Sequence, residues 1–507
     1  MPDNRKMFVP PPPPGFWRRR RLWIRRHLGV IALVAVIVVA AGLVTWHWWP
    51  GTCGGSESVW KADGECVGVT DGSYSFHDSL TDVEDKIAGE NAAISGSGHT
   101  VTIALLDPLT VDETSAVSLD QIRNELEGAY TAQYRINHTG AVGDQRPLIK
   151  VVLANWGSHE QQWESVVKQL EEMVDDPDPL VAVVGLRLSI GRTEQAAKHL
   201  TRYDIPMVSA IATADQLNYG AIRGFVRASP ANSEYVAALQ AYLQDHPSLD
   251  SAIMVYDSNS DIPGADLFTQ SLRDDFTREL TSLIKYPAQS YVGKSGQDKA
   301  TPDLFTGITA NICAVRPKVL LFAGRVVDFP GFLESLHNRV CPDAPVTVIA
   351  AGADFGGLGF RSQELELREK NVTIVYATET DATGWERGAE GTPPLFKDFY
   401  DQFRQLGFDP AHLDEGAVIS THDAMLIAAK AARLSTRAHP DHGVPSNSDV
   451  LNQMLNLNSL DTVPGASGQL SFSFRGADSG NPSNKPIPVI EVPSTSAART
   501  AEVYHTR

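Results

Sequence analysis

Cysteine is scarce in this chain: four occur in 507 residues. That excludes a disulfide-scaffold miniprotein. No CxxC or HxxxH spacing occurs, so no metal site is expected. GxSxG and HExxH are also absent, and no nucleophile-base pair stands out. Basic residues are few, with 43 Lys and Arg against 61 Asp and Glu. The first 27 residues hold eight of the cations (Arg5, Lys6, Arg18 to Arg21, Arg25, Arg26) against Asp3 alone. This tail is therefore +7, and the rest of a chain of net charge −18 is −25. So acidic a body is a poor nucleic-acid partner, because phosphate contacts need clustered Lys and Arg. With 42% hydrophobic and 21% charged residues, whole-chain disorder is excluded and large cores are affordable.

Leu28 to Trp46 is free of charge over 19 residues, close to the roughly 20 that cross a bilayer as a helix. Trp23, Trp46, Trp48 and Trp49 flank it like an aromatic belt, and the arginines lie on its N-terminal side. Ala40-Ala41-Gly42 offers the small residues of a cleavage site, but the run exceeds a usual signal-peptide core. The reading is an uncleaved single-pass anchor at the cell membrane, tail cytoplasmic and main domain outside. Pro10 to Pro14 is a short polyproline II spacer beside the arginines. Outside the cytoplasm paired thiols oxidise. Four cysteines allow three pairings, and the expectation is two local clips, Cys53–Cys66 and Cys313–Cys341.

The organisation expected is a basic tail (1–27), a membrane helix (28–49), a Gly/Ser/Asp-rich stalk (50–99), a large domain (100–495) and a C-terminal tail (496–507). From Val101 short β-rich runs alternate with amphipathic stretches. Val101 to Leu106, Leu148 to Leu153, Leu180 to Gly185, Ala252 to Tyr256, Lys318 to Phe322 and Val346 to Ala350 read as strands. Leu119 to Ile136, Trp163 to Val174, Thr193 to Tyr203 and Ala265 to Phe276 read as helices. This alternation predicts an α/β fold with parallel sheets covered on both faces. About 395 residues of it exceed one core, so two lobes are expected.

Several stretches carry a likeness to a known family. They are Ile103 to Thr110, Leu180 to Ser189, Ile205 to Thr213, Phe225 to Pro230, Thr421 to Ala429, Gly468 to Gly476 and Ile487 to Val492. In order and spacing, the segment from Val101 to about Val492 resembles the type I periplasmic solute-binding proteins, particularly their branched-chain amino-acid branch. The resemblance implies two Rossmann-like doubly wound lobes joined by three hinge crossovers, near Ala228–Ala231, Ala377–Glu379 and Thr462–Gly465. Lobe 1 would be about 100–228 and 380–460, and lobe 2 about 230–376 and 464–495. It also implies a small-molecule ligand between the lobes, no catalysis and no cofactor.

By the same resemblance, Ser189 contacts a ligand carboxylate, while Ile211, Ala212 and Thr213 face a ligand ammonium. The chain departs from the family at other points. Asp261 and Ile262 stand where an aromatic residue usually precedes a Gly. Arg325 replaces a second aromatic. The acidic ammonium partner falls near Gly352, with Asp354 two residues later. Arg187 and Arg325 both follow strands in the expected cleft, where two guanidinium groups can bind an anion. Ala288 to Ser295 imitates a phosphate loop but has Ala288 where the first glycine belongs. Two functions result. The first is a membrane-anchored receptor for a small polar solute, amino-acid-like or anionic, serving a permease or signalling partner. The second is a lobed module that has lost solute binding and docks proteins at the cell surface.

Overall fold

The computed structural model describes residues 53–54, 56, 58–294, 305–438, 443–458, 460–476, 479–494 and 501–507. The expected tail and membrane helix, with Leu28 to Trp46, lie outside the described residues. Among the described residues no helix is long and apolar enough to cross a membrane. The chain forms two compact units, Met1–Lys61 and Ala62–Arg507. The first holds most of strand β1 (Val59–Ala62).

In chain order there follow β2 (Glu65–Thr70), α1 (Thr81–Ile94), β3 (Thr100–Asp107), α2 (Leu119–His138), β4 (Leu148–Asn155) and α3 (Trp163–Glu172). Next come β5 (Leu180–Gly185), α4 (Gly191–Leu200), β6 (Met207–Ser209), β7 (Phe225–Arg227), α5 (Asn232–Asp245), β8 (Ala252–Asp257) and α6 (Leu267–Glu279). Then come β9 (Gln289–Tyr291), α7 (Thr306–Val315), β10 (Val319–Ala323), α8 (Phe329–His337), β11 (Val346–Ala351), α9 (Glu364–Glu369) and β12 (Val372–Ala377). The chain closes with α10 (Ala382–Glu386), α11 (Phe396–Gln405), α12 (Ala417–Ala438), α13 (Asn447–Met454), β13 (Val463–Gly465), β14 (Gly468–Leu470), β15 (Pro486–Val492) and β16 (Glu502–His505).

Within the larger unit one sheet runs β2-β4-β3-β5-β6-β7 and a second runs β16-β15-β12-β11-β10-β8-β9. Their centres are parallel, with antiparallel pairs at β2–β4, β12–β15 and β15–β16. The central strands β3, β5 and β11 are buried at every position. Continuous apolar runs such as Leu180-Val-Ala-Val-Val suit a sheet covered on both faces. Apolar clusters accordingly occupy both sides of the second sheet, one around Phe322, Phe329 and Phe332 and one around Tyr235, Leu239 and Phe276. A reciprocal cap between Ser118 and Gln121 starts α2, and Asp266 caps α6.

The chain passes between the sheets along 228–231, along 378–381 and again before β15. Thr462–Gly465 lies at the start of the β13–β14 hairpin, ahead of that last passage. Glu379 ties the first two passages together: its carboxylate accepts from Tyr235 at 2.5 Å and from Ser420 at 2.6 Å. His422 is a core residue, held between Arg135 and Asp423, and burial drives its pKa down to about 4. Two expected flanks carry structure of their own. Inside the stretch expected as a stalk, β2 pairs with β4, and Asn91 of α1 donates to the Val151 carbonyl at 2.7 Å. Inside the expected C-terminal tail, β16 pairs with β15, His505 opposite Pro486. Each completes a sheet edge that would otherwise expose unpaired backbone groups. A disulfide joins Cys313 to Cys341, and Cys53 and Cys66 are not free thiols.

Candidate functional site: the cleft between the sheets

In open parallel sheets the loops after the strands' carboxyl ends form the ligand crevice. Here the loops after β5, β6, β10 and β11 meet there. Arg187 and Ser189 follow β5, Ile211 and Thr213 follow β6, Arg325 follows β10, and Asp354 follows β11. All six line one pocket of about 50 Å³, together with Phe268 and Phe355. A solute pocket usually measures about 300–1,000 Å³. The pocket is small because the two lobes touch across it. Gly191 N–H donates to the Gly264 carbonyl at 2.7 Å. Leu267 and Phe268 N–H groups, at the start of α6, donate to the Ser189 carbonyl at 2.9 and 3.2 Å.

Arg187 is buried and paired with Glu125, with Asp354 at 3.0 Å and with Glu415 at 3.5 Å. Burial opposes its charge, yet Asp354, Glu125 and Glu415 together hold its pKa above the usual value. Burial, with Asp354 beside it, raises Glu415 to about 7, and burial raises Glu125 and Asp107 as well. Gly185 has φ +101°, and a Cβ there would strike the Asp107 carboxylate, so this turn needs glycine. Arg325 donates to Asp266 at 2.8 and 3.0 Å and lies over the Phe268 ring. The two guanidinium groups expected to receive an anionic ligand are thus already held by the protein's own carboxylates.

The Thr213 loop is held from behind. Arg227 donates to the Ala212 carbonyl, and Asn232 N–H donates to the Thr213 carbonyl at 2.8 Å. Ala212 is not among the residues that line the pocket, while Thr213 is, and its buried hydroxyl has no partner. Ser189 Oγ accepts from Ala214 N–H at 3.3 Å. Asp261 is not in the cleft: it is 53% exposed and paired with Arg273. It lies before the tight turn at Gly264, and the chain re-enters the cleft only with α6. Among the described residues, no group of three or more His, Cys, Asp or Glu is arranged to hold a metal ion.

Beyond Asp354 lies a larger cavity of about 520 Å³, between the start of α2, the residues after β10, Gly357-Leu358 and Ala411 to Glu415. Asp354 and Val326 line both spaces.

No protein-family model and no curated protein sequence matches this chain. Solved structures do. A leucine-binding protein of Thermotoga maritima is 14% identical, covers 80% of this chain and 98% of its own, and superposes with a TM-score of 0.54. A branched-chain amino-acid transporter substrate-binding protein of Streptococcus pneumoniae, solved with isoleucine, is 15% identical over 80% and 99%, TM-score 0.56. A solute-binding protein of an ABC transporter from Rhodopseudomonas palustris, solved with p-hydroxybenzoic acid, is 12% identical over 80% and 98%, TM-score 0.57.

The chain has the type I periplasmic-binding-protein fold.

Within this fold, sequence reasoning missed the aromatic walls and the arginine partners. Phe268 stands four residues after Gly264, on the first turn of α6, and not just before that glycine as the resemblance implies. Glu125 did leave a signal. It occupies the apolar stripe of α2, three residues after Ile122 and next to Leu126, and a lone acid on a buried face needs a cation. Asp266 and Glu415 left none, because their partners come from distant segments.

Proposed function

We propose that this protein is an extracytoplasmic solute-binding receptor, anchored by Leu28 to Trp46, that closes its two lobes on a small polar ligand and presents it to a permease or a signalling partner. One observation carries the reading. Loops from both sheets converge on one cleft, and there the Thr213 hydroxyl and one Asp354 oxygen have no partner. They are two of several buried polar atoms without a partner, and these two belong to residues that line the cleft from opposite sheets. The neighbours of this fold named as substrate-binding proteins support the same assignment. Closure is driven by a ligand that contacts both lobes, since only differential affinity shifts an open–closed equilibrium.

A second reading, a module that docks proteins and binds no solute, is favoured by the contact of Gly191 with Gly264 and by the small pocket. A thermal-shift screen of amino acids, dicarboxylates, amides, short peptides and nucleosides separates the two. Saturable stabilisation by one class, lost in Thr213→Ala, supports solute reception. No shift from a folded protein supports the docking module, and capture of a partner at the membrane then replaces the screen.

A further inference from the structure

A further pocket, of about 290 Å³, lies between α8 and the stretch from Leu358 to Lys370 that contains α9. It shares no residue with the cleft pocket and only Pro330 and Leu358 with the large cavity. Its size is close to the lower end of the roughly 300–1,000 Å³ usual for a small-molecule site. Phe329, Leu333 and Phe360 give it an apolar floor, and all three belong to the core cluster on that face of the second sheet. Phe329, Leu333 and His337 follow one another at four-residue spacing on α8, which puts them on one helix face. The imidazole therefore ends an otherwise apolar stripe.

The His337 side chain is 10% exposed, and its Nδ1 lies 3.0 Å from Glu366 Oε1. A carboxylate only accepts, so Nδ1 carries the hydrogen and Nε2 is left as the acceptor of a neutral ring. Burial lowers the His337 pKa, and Lys370 and Arg339 act in the same direction against Glu366. Nε2 is buried and, among the described residues, has no partner. The amides on the same wall are engaged elsewhere, Gln363 with the Leu358 carbonyl at 2.9 Å and Asn338 with the Glu334 carbonyl at 3.1 Å. A buried acceptor without a donor is unfavourable, and a ligand that brings one hydrogen on an apolar body supplies what this pocket lacks. Charge does not direct the choice: Glu334 and Glu366 share the wall with Lys370, and Glu366 is already paired with the imidazole.

We propose that this pocket is a second ligand site, separate from the cleft, for a neutral hydroxyl-bearing molecule whose apolar body lies on Phe329, Leu333 and Phe360 and whose O–H donates to His337 Nε2. The site goes beyond the solute-binding reading and does not depend on it, because none of its residues lines the cleft pocket.

The test is calorimetric titration of the full chain in mild detergent with 4-methylphenol and with 4-methylanisole, which keeps the ring and the oxygen but lacks the O–H. The phenol binds saturably, and the ether binds at least tenfold more weakly. His337→Phe keeps an apolar ring and removes the acceptor, and Gln363→Trp fills the pocket from its half-buried rim. Each weakens the phenol at least tenfold, in a variant whose far-ultraviolet dichroism spectrum matches the parent's. The comparison of phenol with ether needs no variant, so misfolding of either leaves the test intact. Equal binding of the two probes overturns the proposal. Unchanged phenol affinity in either folded variant also overturns it and places the phenol elsewhere, the cleft included. No binding of the phenol overturns it as well and leaves water as the partner of Nε2. Each of these outcomes leaves solute reception in the cleft to its own screen, so failure of one reading is distinguishable from failure of the other.

Discussion

Alanine at Gly191 isolates the closure of the lobes from their folding. Gly191 opens α4 with a backbone outside the left-handed region, so alanine fits the local conformation. Its Cβ, however, would lie 2.7 Å from the Gly264 carbonyl oxygen and 3.3 Å from Gly264 Cα. Those atoms are backbone and belong to the other lobe. Two terms oppose closure. The Gly191–Gly264 hydrogen bond, worth about 1 kcal/mol net, is lost or stretched. Forcing a methyl group against packed backbone costs roughly 1–3 kcal/mol more. Any gain in helix propensity is the same in the open and closed forms and cancels. The closed form therefore loses on the order of 2–4 kcal/mol relative to the open one, a roughly 30- to 1,000-fold shift at about 1.4 kcal/mol per decade. Small-angle scattering of the full chain should show a larger radius of gyration for Gly191→Ala, with an unfolding temperature near the parent's. Gly307→Ala on α7, where a Cβ meets nothing within 4 Å, is the control and should leave the scattering unchanged. An unchanged curve for Gly191→Ala would refute the claim that this contact governs closure.

Other consequences can be measured separately. Arg187→Gln leaves Glu125, Asp354 and Glu415 without their shared cation; urea unfolding should report a loss of about 3–5 kcal/mol, and a loss under 1 kcal/mol would mean the carboxylates simply take up protons. Thr213→Val removes an unpartnered buried hydroxyl, so stability should hold or rise by about 1 kcal/mol while ligand binding falls; a large destabilisation would show that the hydroxyl is structurally used. Burial raises Glu160 to about 8, so the folded state binds this proton more tightly than the unfolded one. Its contribution is present below the unfolded value near 4.5 and is lost as pH rises through about 8, by at most about 5 kcal/mol; Glu160→Gln should flatten the decline in stability between pH 5 and 8.5. Replacing Cys313 and Cys341 by Ser opens a 28-residue separation, for which the chain-entropy account gives about 3.5 kcal/mol in denaturant unfolding; no change would show that the unfolded chain is already constrained there.

Much of this architecture was legible in one dimension. Strand runs such as Leu180 to Gly185 and Val346 to Ala351 are apolar throughout, and their alternation with amphipathic stretches admits little besides covered parallel sheets. Strand ends then locate the cleft, because its loops follow the carboxyl ends of parallel strands. Arg187 and Arg325 follow from that rule, while Ser189, Ile211, Thr213 and Asp354 came from the family resemblance, and all six line one pocket. Less legible were β2 and β16: each is short and lies in polar flanking sequence, and pairing to a neighbouring edge, not hydrophobic pattern, makes them strands.

Periodicity and strand ends are local properties, so the sequence determined the two-sheet fold and the side of each sheet that faces the cleft. Whether a cleft residue is free to meet a ligand is not local. Asp261 turned outward to Arg273, and both cleft arginines acquired carboxylates at separations of 59 to 228 residues. The approach of Gly191 to Gly264 likewise exists only between segments brought together by the folded lobes. Electrostatic pairing and interlobe contact depend on distance in space, and only the tertiary structure supplies that distance.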